Sequence, residues 1–117
     1  MKTDNIVVDK SKNFAIRIVK LYKYLNEEKK EYVLSKQLLR SGTSIGANVK
    51  EAVRGQSKAD FTAKMSIALK EASESEYWLE ILHETEYLTE QQFDSIYADC
   101  KDLIKILMSI VKSARNE

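Results

Sequence analysis

Apolar side chains recur along this chain at alternating spacings of four and three residues, the period of a helix that buries one stripe. The cleanest run is Phe61, Met65, Ala68, Ala72, Ser75, Leu79 and Leu82. Phe93, Ile96, Cys100, Leu103, Leu107, Ile110 and Ala114 make a second, and Phe14, Ile18, Leu21 and Leu25 a shorter third. Between them lies a weaker line, Leu34, Leu38, Ser41, Ile45, Asn48 and Ala52, with serine and asparagine where the others place hydrophobes. Four stripes predict four helices, over about residues 9–26, 33–54, 58–86 and 90–115. Residues before Asp9 are expected as a short arm, unless Ile6 and Val7 extend the first helix. The charged run Asn26–Glu31 has no apolar period and reads as a turn. Gly55 is placed to stop the second helix. Ser57 with Asp60, and Thr89 with Gln92, are capping arrangements that open the third and fourth. Short turns between long helices predict one domain over 1–117, an all-α, antiparallel up-down-up-down four-helix bundle.

Composition supports this pattern. The 117 residues include no proline and three glycines, so little interrupts a helix. That length buries a real core without a disulfide or metal. The single cysteine excludes an internal disulfide and a cysteine-rich zinc site. The first residues lack the apolar core of a signal peptide, and no apolar run approaches a membrane span. A soluble cytoplasmic protein without a membrane partner is the expectation.

The second helix breaks the local rules. Gly42 and Gly46 lie inside it, and each interior glycine costs roughly 0.5–1 kcal/mol relative to alanine. Ser41, Ser44, Asn48 and Glu51 share one face, Arg40 flanks them, and Glu71 and Glu74 of the third helix lie within reach. Two readings are open. One is a buried polar network of Arg40, Ser41, Ser44, Asn48, Glu51 and Glu71 that fixes helix register. The other is a polar groove that binds a ligand or partner. The small residues Ala68, Ala72 and Ser75 are expected to face the small residues of helix two and let two backbones approach, which favours the network.

Other constellations are weaker. Glu80-x-x-His83 is the element di-iron bundles use, but it lacks a second copy, and His83 is the chain's one histidine. Ser109-x-x-Lys112 lacks the companion motifs of Ser-Lys enzymes. Cys100 lies on the apolar stripe and reads as a small buried hydrophobe. No phosphate-cradling glycine loop is present. No catalytic residue, metal or cofactor is therefore assigned.

Leu38-x-Arg40-Ser41-x-x-Ser44-Ile45-x-x-Asn48-Val49-x-Glu51, followed by Ser57-x-x-Asp60-Phe61 and Ile67-Ala68-Leu69-Lys70-Glu71-Ala72, resembles the four helix bundle protein family. Its members include proteins encoded in intervening sequences of bacterial 23S ribosomal RNA genes. Ala52 departs from the glycine that many relatives carry, and residues 70–74 depart from their Gly-Ser-x-x-Glu form. The resemblance implies a ring-shaped homo-oligomer, a pentamer. It also implies kinship with the accessory variability proteins of diversity-generating retroelements, basic pentameric barrels that bind nucleic acid and a reverse transcriptase.

Charge and surface then frame two functions. The net charge of +1 hides a balance of +7 over residues 1–58 and −6 over residues 59–117. Such a split can steer a polyanion, pair copies of the chain, or be neutralised between helices of one bundle. The first function is non-catalytic binding of RNA or DNA by a basic face of Lys10, Lys12, Arg17, Lys20, Lys23, Lys36, Arg40, Lys50, Arg54 and Lys58. The second is an oligomeric scaffold holding a protein partner. In both, Trp78, Ile81, Ile104, Met108 and Val111 are expected to form an exposed apolar patch for self-association.

Overall fold

The computed structural model describes residues 2–116. Its four helices are α1 (Lys2–Glu27), α2 (Leu34–Val53), α3 (Lys58–Glu84) and α4 (Glu90–Arg115). Two begin as their capping residues dictate. Ser57 Oγ accepts the Asp60 N–H at 3.0 Å. Thr89 Oγ1 accepts from Gln92 N at 3.2 Å while Gln92 Oε1 accepts from Thr89 N at 2.9 Å, a complete capping box. Helix α2 stops at Val53, and Gly55 N–H closes back on the Ala52 carbonyl at 3.1 Å. No strand occurs among the described residues.

Cross-links between helices establish the antiparallel order. Along α1 and α4, Lys10 meets Asp102 and Arg17 meets Asp99. Along α2 and α3, Arg40 meets Glu71 and Glu74, whereas Glu51 meets Lys64. Along α3 and α4, Cys100 lies against Ala72 and Tyr97 against Glu80. Each helix packs on its sequence neighbour, and α1 closes on α4 through the narrowest of the four contacts. The bundle measures 46 × 20 × 19 Å. Phe14, Ile18, Leu25, Leu38, Ile45, Met65, Leu79, Leu82, Leu103 and Leu107 are fully buried along its axis. Each such aliphatic or aromatic residue contributes roughly 1.5–3 kcal/mol.

One boundary and one buried line differ from expectation. The segment before Asp9 is helical from Lys2, not an arm. Val7 and Ser11 continue the stripe of Phe14 and Ile18 at the same 4-3-4 spacing, and Val7 is fully buried. In α2 the buried line runs through Ser35, Gly42 and Val49 as well as Leu38, Ser41, Ile45 and Ala52. Asn48, expected on the stripe, sits at its edge, half-buried.

The glycines explain the shift. A Cβ on Gly42 would stand 2.7 Å from Ile18 Cγ1, and one on Gly46 would stand 3.3 Å from the Ser11 carbonyl oxygen. Both face α1, not the small residues of α3 as expected. They bring α1 close enough to cover a wider band of α2.

Candidate functional site

The polar centre of α2 is built against α3. Arg40 Nη1 donates to Glu71 Oε2 at 2.7 Å, and Nη2 to Glu74 Oε2 at 2.7 Å and Glu71 Oε1 at 3.3 Å. Trp78 Nε1 donates to the same Glu74 oxygen at 3.1 Å. Beneath this, the Ser41 and Ser75 hydroxyls meet at 2.9 Å, both fully buried, and Ser75 Oγ also donates to the Glu71 carbonyl at 3.0 Å. Glu71 is buried, as a carboxylate seldom is unless paired. The Arg40 guanidinium, hydrogen-bonded to Glu71 and Glu74, holds its proton more tightly than a free arginine. Glu74 is held below the usual carboxylate range, first by its hydrogen bond from Arg40 and then by that from Trp78.

Three residues of the expected network, Arg40, Ser41 and Glu71, come together here. Ser44, Asn48 and Glu51 do not. Asn48 Nδ2 donates to the Ser44 carbonyl at 2.9 Å, a bond within one turn of α2. Glu51 is exposed and meets Lys64 at 3.1 Å. The shared face divides because the part toward Ser41 lies under α3 and the part toward Glu51 faces solvent. Glu74, Ser75 and Trp78 complete the cluster. Glu71, Glu74 and Trp78 are spaced i, i+3 and i+7, which places them on one face of α3 opposite Arg40.

The ten basic residues separate into groups. Lys10 Nζ donates to Asp102 at 2.5 Å, which raises its pKa. Arg17 donates to Asp99 at 2.6 Å and to the Ser95 hydroxyl and carbonyl at 2.9 and 3.3 Å. Arg40 is committed to Glu71 and Glu74. The acids of α3 and α4 thus neutralise part of the basic half within the chain itself. The side chains of Lys12, Lys20, Lys23, Lys36, Lys50 and Arg54 are exposed and make no ion pair or hydrogen bond among the described residues; Lys58 is not in this group. Lys50 and Arg54 line a depression at the α2–α3 turn with Lys64, Glu51 and Asp60.

The expected apolar patch is mostly packed within the bundle. Val111 is buried, and Trp78 and Ile104 pack partly buried against the core. Ile81 is half-buried, and Met108 alone of the five is exposed. A bundle whose contacts run helix by helix around a ring needs broad stripes on α3 and α4, and these residues supply them. The exposed large hydrophobics are instead Ile6, Ile16, Val19, Tyr32, Val33, Val53, Ile67, Tyr77 and Met108.

The remaining reactive groups have ordinary partners. His83 stacks on Phe93 with centroids 4.1 Å apart, and its Nε2 lies 2.9 Å from Glu90, not on Glu80. Glu80 accepts from the Tyr97 hydroxyl at 2.7 Å, which together with burial raises the Tyr97 pKa. Burial pushes the Cys100 thiol up to about 12, so it is no thiolate at neutral pH, and it donates to the Ala72 carbonyl at 3.4 Å. No group of three or more His, Cys, Asp or Glu side chains among the described residues could hold a metal ion. No helix among them is long and apolar enough to cross a membrane.

Fold and polar centre define a small antiparallel four-helix bundle whose second and third helices are joined by a half-buried Arg–Glu contact over a buried Ser–Ser contact. The family is narrower than that class: the model of the 23S rRNA-intervening sequence protein matches residues 3–109, and the chain belongs to this family. It is similar to a crystallised protein of unknown function from the S23 ribosomal protein family of Bacteroides thetaiotaomicron VPI-5482. The two are 60% identical, with a TM-score of 0.92, over 94% of this chain and 98% of that one. No curated protein sequence matches.

Proposed function

We propose that the protein is a non-catalytic, cytoplasmic homo-oligomer, a pentamer, that binds RNA or DNA through the outer face of α1 and α2. The observation that carries this reading is the set of six cations, Lys12, Lys20, Lys23, Lys36, Lys50 and Arg54, left without partners among the described residues. Five other cations, Lys10, Arg17, Arg40, Lys64 and Lys101, each meet an acid, whereas Lys70, Lys105 and Lys112 on α3 and α4 do not among the described residues. Exposed cations on two neighbouring antiparallel helices present a surface to phosphates, and repetition in an oligomer multiplies it. The contact is to backbone, so it carries little sequence information.

The test is an RNA titration at about 50 and about 200 mM salt. Neutralising about five phosphates should weaken binding roughly 100-fold for a single strand and roughly 500-fold for a duplex between the two. Charge reversal at Lys12, Lys23 and Lys50 should reduce both affinity and salt slope. Binding unchanged by salt would sink this reading. A second reading, an oligomeric scaffold that ignores nucleic acid, draws on the exposed Ile67, Tyr77 and Met108. A light-scattering mass of several chains with no RNA binding would select it.

A further inference from the structure

The turn joining α1 to α2 is built unlike the other two. Glu31 is only 6% exposed. Its carboxylate accepts the backbone N–H groups of Val33, Leu34 and Ser35 at 2.8, 2.9 and 3.0 Å, which caps α2. Ser35 Oγ donates back to the Glu31 carbonyl at 2.8 Å, and Asn26 Nδ2 reaches Ser35 Oγ at 3.1 Å. Lys30 takes a left-handed φ of 55°, uncommon for a non-glycine residue and shared by Glu86 at 70° in the α3–α4 turn. These bonds fix the turn from both sides.

What the turn holds outward is unusual. Tyr32 and Val33, adjacent in sequence, are 57% and 71% exposed, the most exposed large hydrophobics among the described residues. Lys29 and Lys30 precede them and Lys36 follows, all exposed. Lys23 lies four residues before the end of α1 and Lys20 seven, so both stand further along the helix, away from the turn. Within the turn Glu31 is spent on backbone N–H groups, which leaves Glu27 and Glu28 against Lys29, Lys30 and Lys36; Glu84, Glu86 and Glu90 lie at the same end of the bundle around the α3–α4 turn. An exposed aromatic ring set among cations on a rigid turn matches one chemistry best, an unpaired base on a phosphodiester chain.

We infer that this turn is the point where the basic face takes single-stranded nucleic acid. The Tyr32 ring stacks on an unpaired base, and the flanking phosphates lie against Lys29, Lys30 and Lys36. This rests on the nucleic-acid reading above and adds a preference to it. A duplex keeps its base faces stacked inside, so the ring gains little from one. The bonded turn places the ring before binding, so little ordering cost remains.

The test uses the full chain and fluorescein-labelled U and dT strands of about 20 nucleotides, with an RNA duplex of the same length as control, followed by anisotropy. Tyr32→Ala should bind both strands about tenfold more weakly, yet stay within about twofold of the wild type on the duplex. Tyr32→Phe should match the wild type on all three, because the ring remains. The salt slope should not change in either variant, because the lysines remain. An equal loss on strand and duplex, or no loss on either, overturns the inference. So does a loss confined to U or dT, which would indicate recognition of the 2′-hydroxyl or the 5-methyl group and not stacking on a base face. A lower light-scattering mass for Tyr32→Ala also overturns it, since the turn would then be a contact between copies. The two readings fail separately: wild-type binding that needs the lysines but not Tyr32 removes only the stacking turn, whereas a wild type that binds no probe removes the basic face itself.

Discussion

Toward α1, helix α2 presents Gly42 and Gly46; toward α3 it presents Arg40 and Ser41. Adjacent residues thus serve opposite packing solutions. On the α1 side the side chain is deleted, so that Ile18 and the Ser11 backbone fill the space a methyl would need. On the α3 side side chains are kept and paired, with Ser41 on Ser75 and Arg40 across Glu71 and Glu74. Close apolar packing tolerates small sliding at modest cost, whereas a two-pronged guanidinium contact fixes one register. The glycines set how near the helices come, and the polar cluster sets which residues meet.

The comparison can be broken first at Arg40. Arg40→Ala leaves the buried Glu71 carboxylate without its cation. Removing one member of a buried pair costs roughly 3–5 kcal/mol, but the Arg40 side chain is 52% exposed and water shares the load, so about 2 kcal/mol is expected in a urea melt. Arg40→Lys should recover only part of it, because an ammonium cannot span both carboxylates. A loss below about 0.5 kcal/mol would make the cluster a surface pair and nothing more.

The α1 side comes next. Gly42→Ala gains up to about 1 kcal/mol of helix propensity but drives a methyl into Ile18, a branched and fully buried side chain. Overpacking costs about 1–3 kcal/mol, so a net destabilisation of about 1 kcal/mol is expected. Coupling identifies the cause: Gly42→Ala made in an Ile18→Ala background should be neutral or stabilising, as read by thermal melts of all four chains. Ser75→Ala should cost about 1 kcal/mol, because Ser41 loses its partner across the interface.

The smallest effect is on pH. Glu74 has its pKa depressed in the fold, so its contribution is fully present above the unfolded carboxyl value of about 4.3 and is lost as pH falls through the lower folded value. The stability difference between wild type and Glu74→Gln should therefore be constant from neutral pH to about 5 and shrink below about 4. Glu74 is about a third exposed, so no more than about 1 kcal/mol is at stake.

Much of the bundle was legible because its stripes are periodic. Met65, Ala68, Ala72, Ser75, Leu79 and Leu82 are buried as their 4-3 spacing predicts, and so are Ile96, Cys100, Leu103, Leu107 and Ile110. The capping box at Thr89 was legible for a local reason, since both partners lie within four residues. Long-range chemistry was harder to read. Arg40 and Glu71 could be placed near each other from the helix faces, but Asn48 and Glu51 shared the same face without sharing the same neighbour. The first extra turns of α1 were hidden because Ser11 interrupts the hydrophobic line while staying buried. Glu31 was hidden because a glutamate in a charged run reads as solvated, and only the backbone N–H groups of α2 explain its burial. The outer apolar residues misled in the other direction: Val111 and Ile104 close the core, whereas Tyr32 and Val33, in a segment without helical period, stay outside.

Trp78 is the chain's one tryptophan, and its indole N–H ends on the Glu74 oxygen that also takes Arg40. The Tyr77 ring lies edge-on to it at 5.0 Å. Tryptophan emission, excited to the red of tyrosine absorption, therefore originates at the α2–α3 contact alone. A shift in its wavelength before helicity is lost would record that contact opening while the helices persist. A shift coincident with helix loss would show that the cluster yields only with the whole fold.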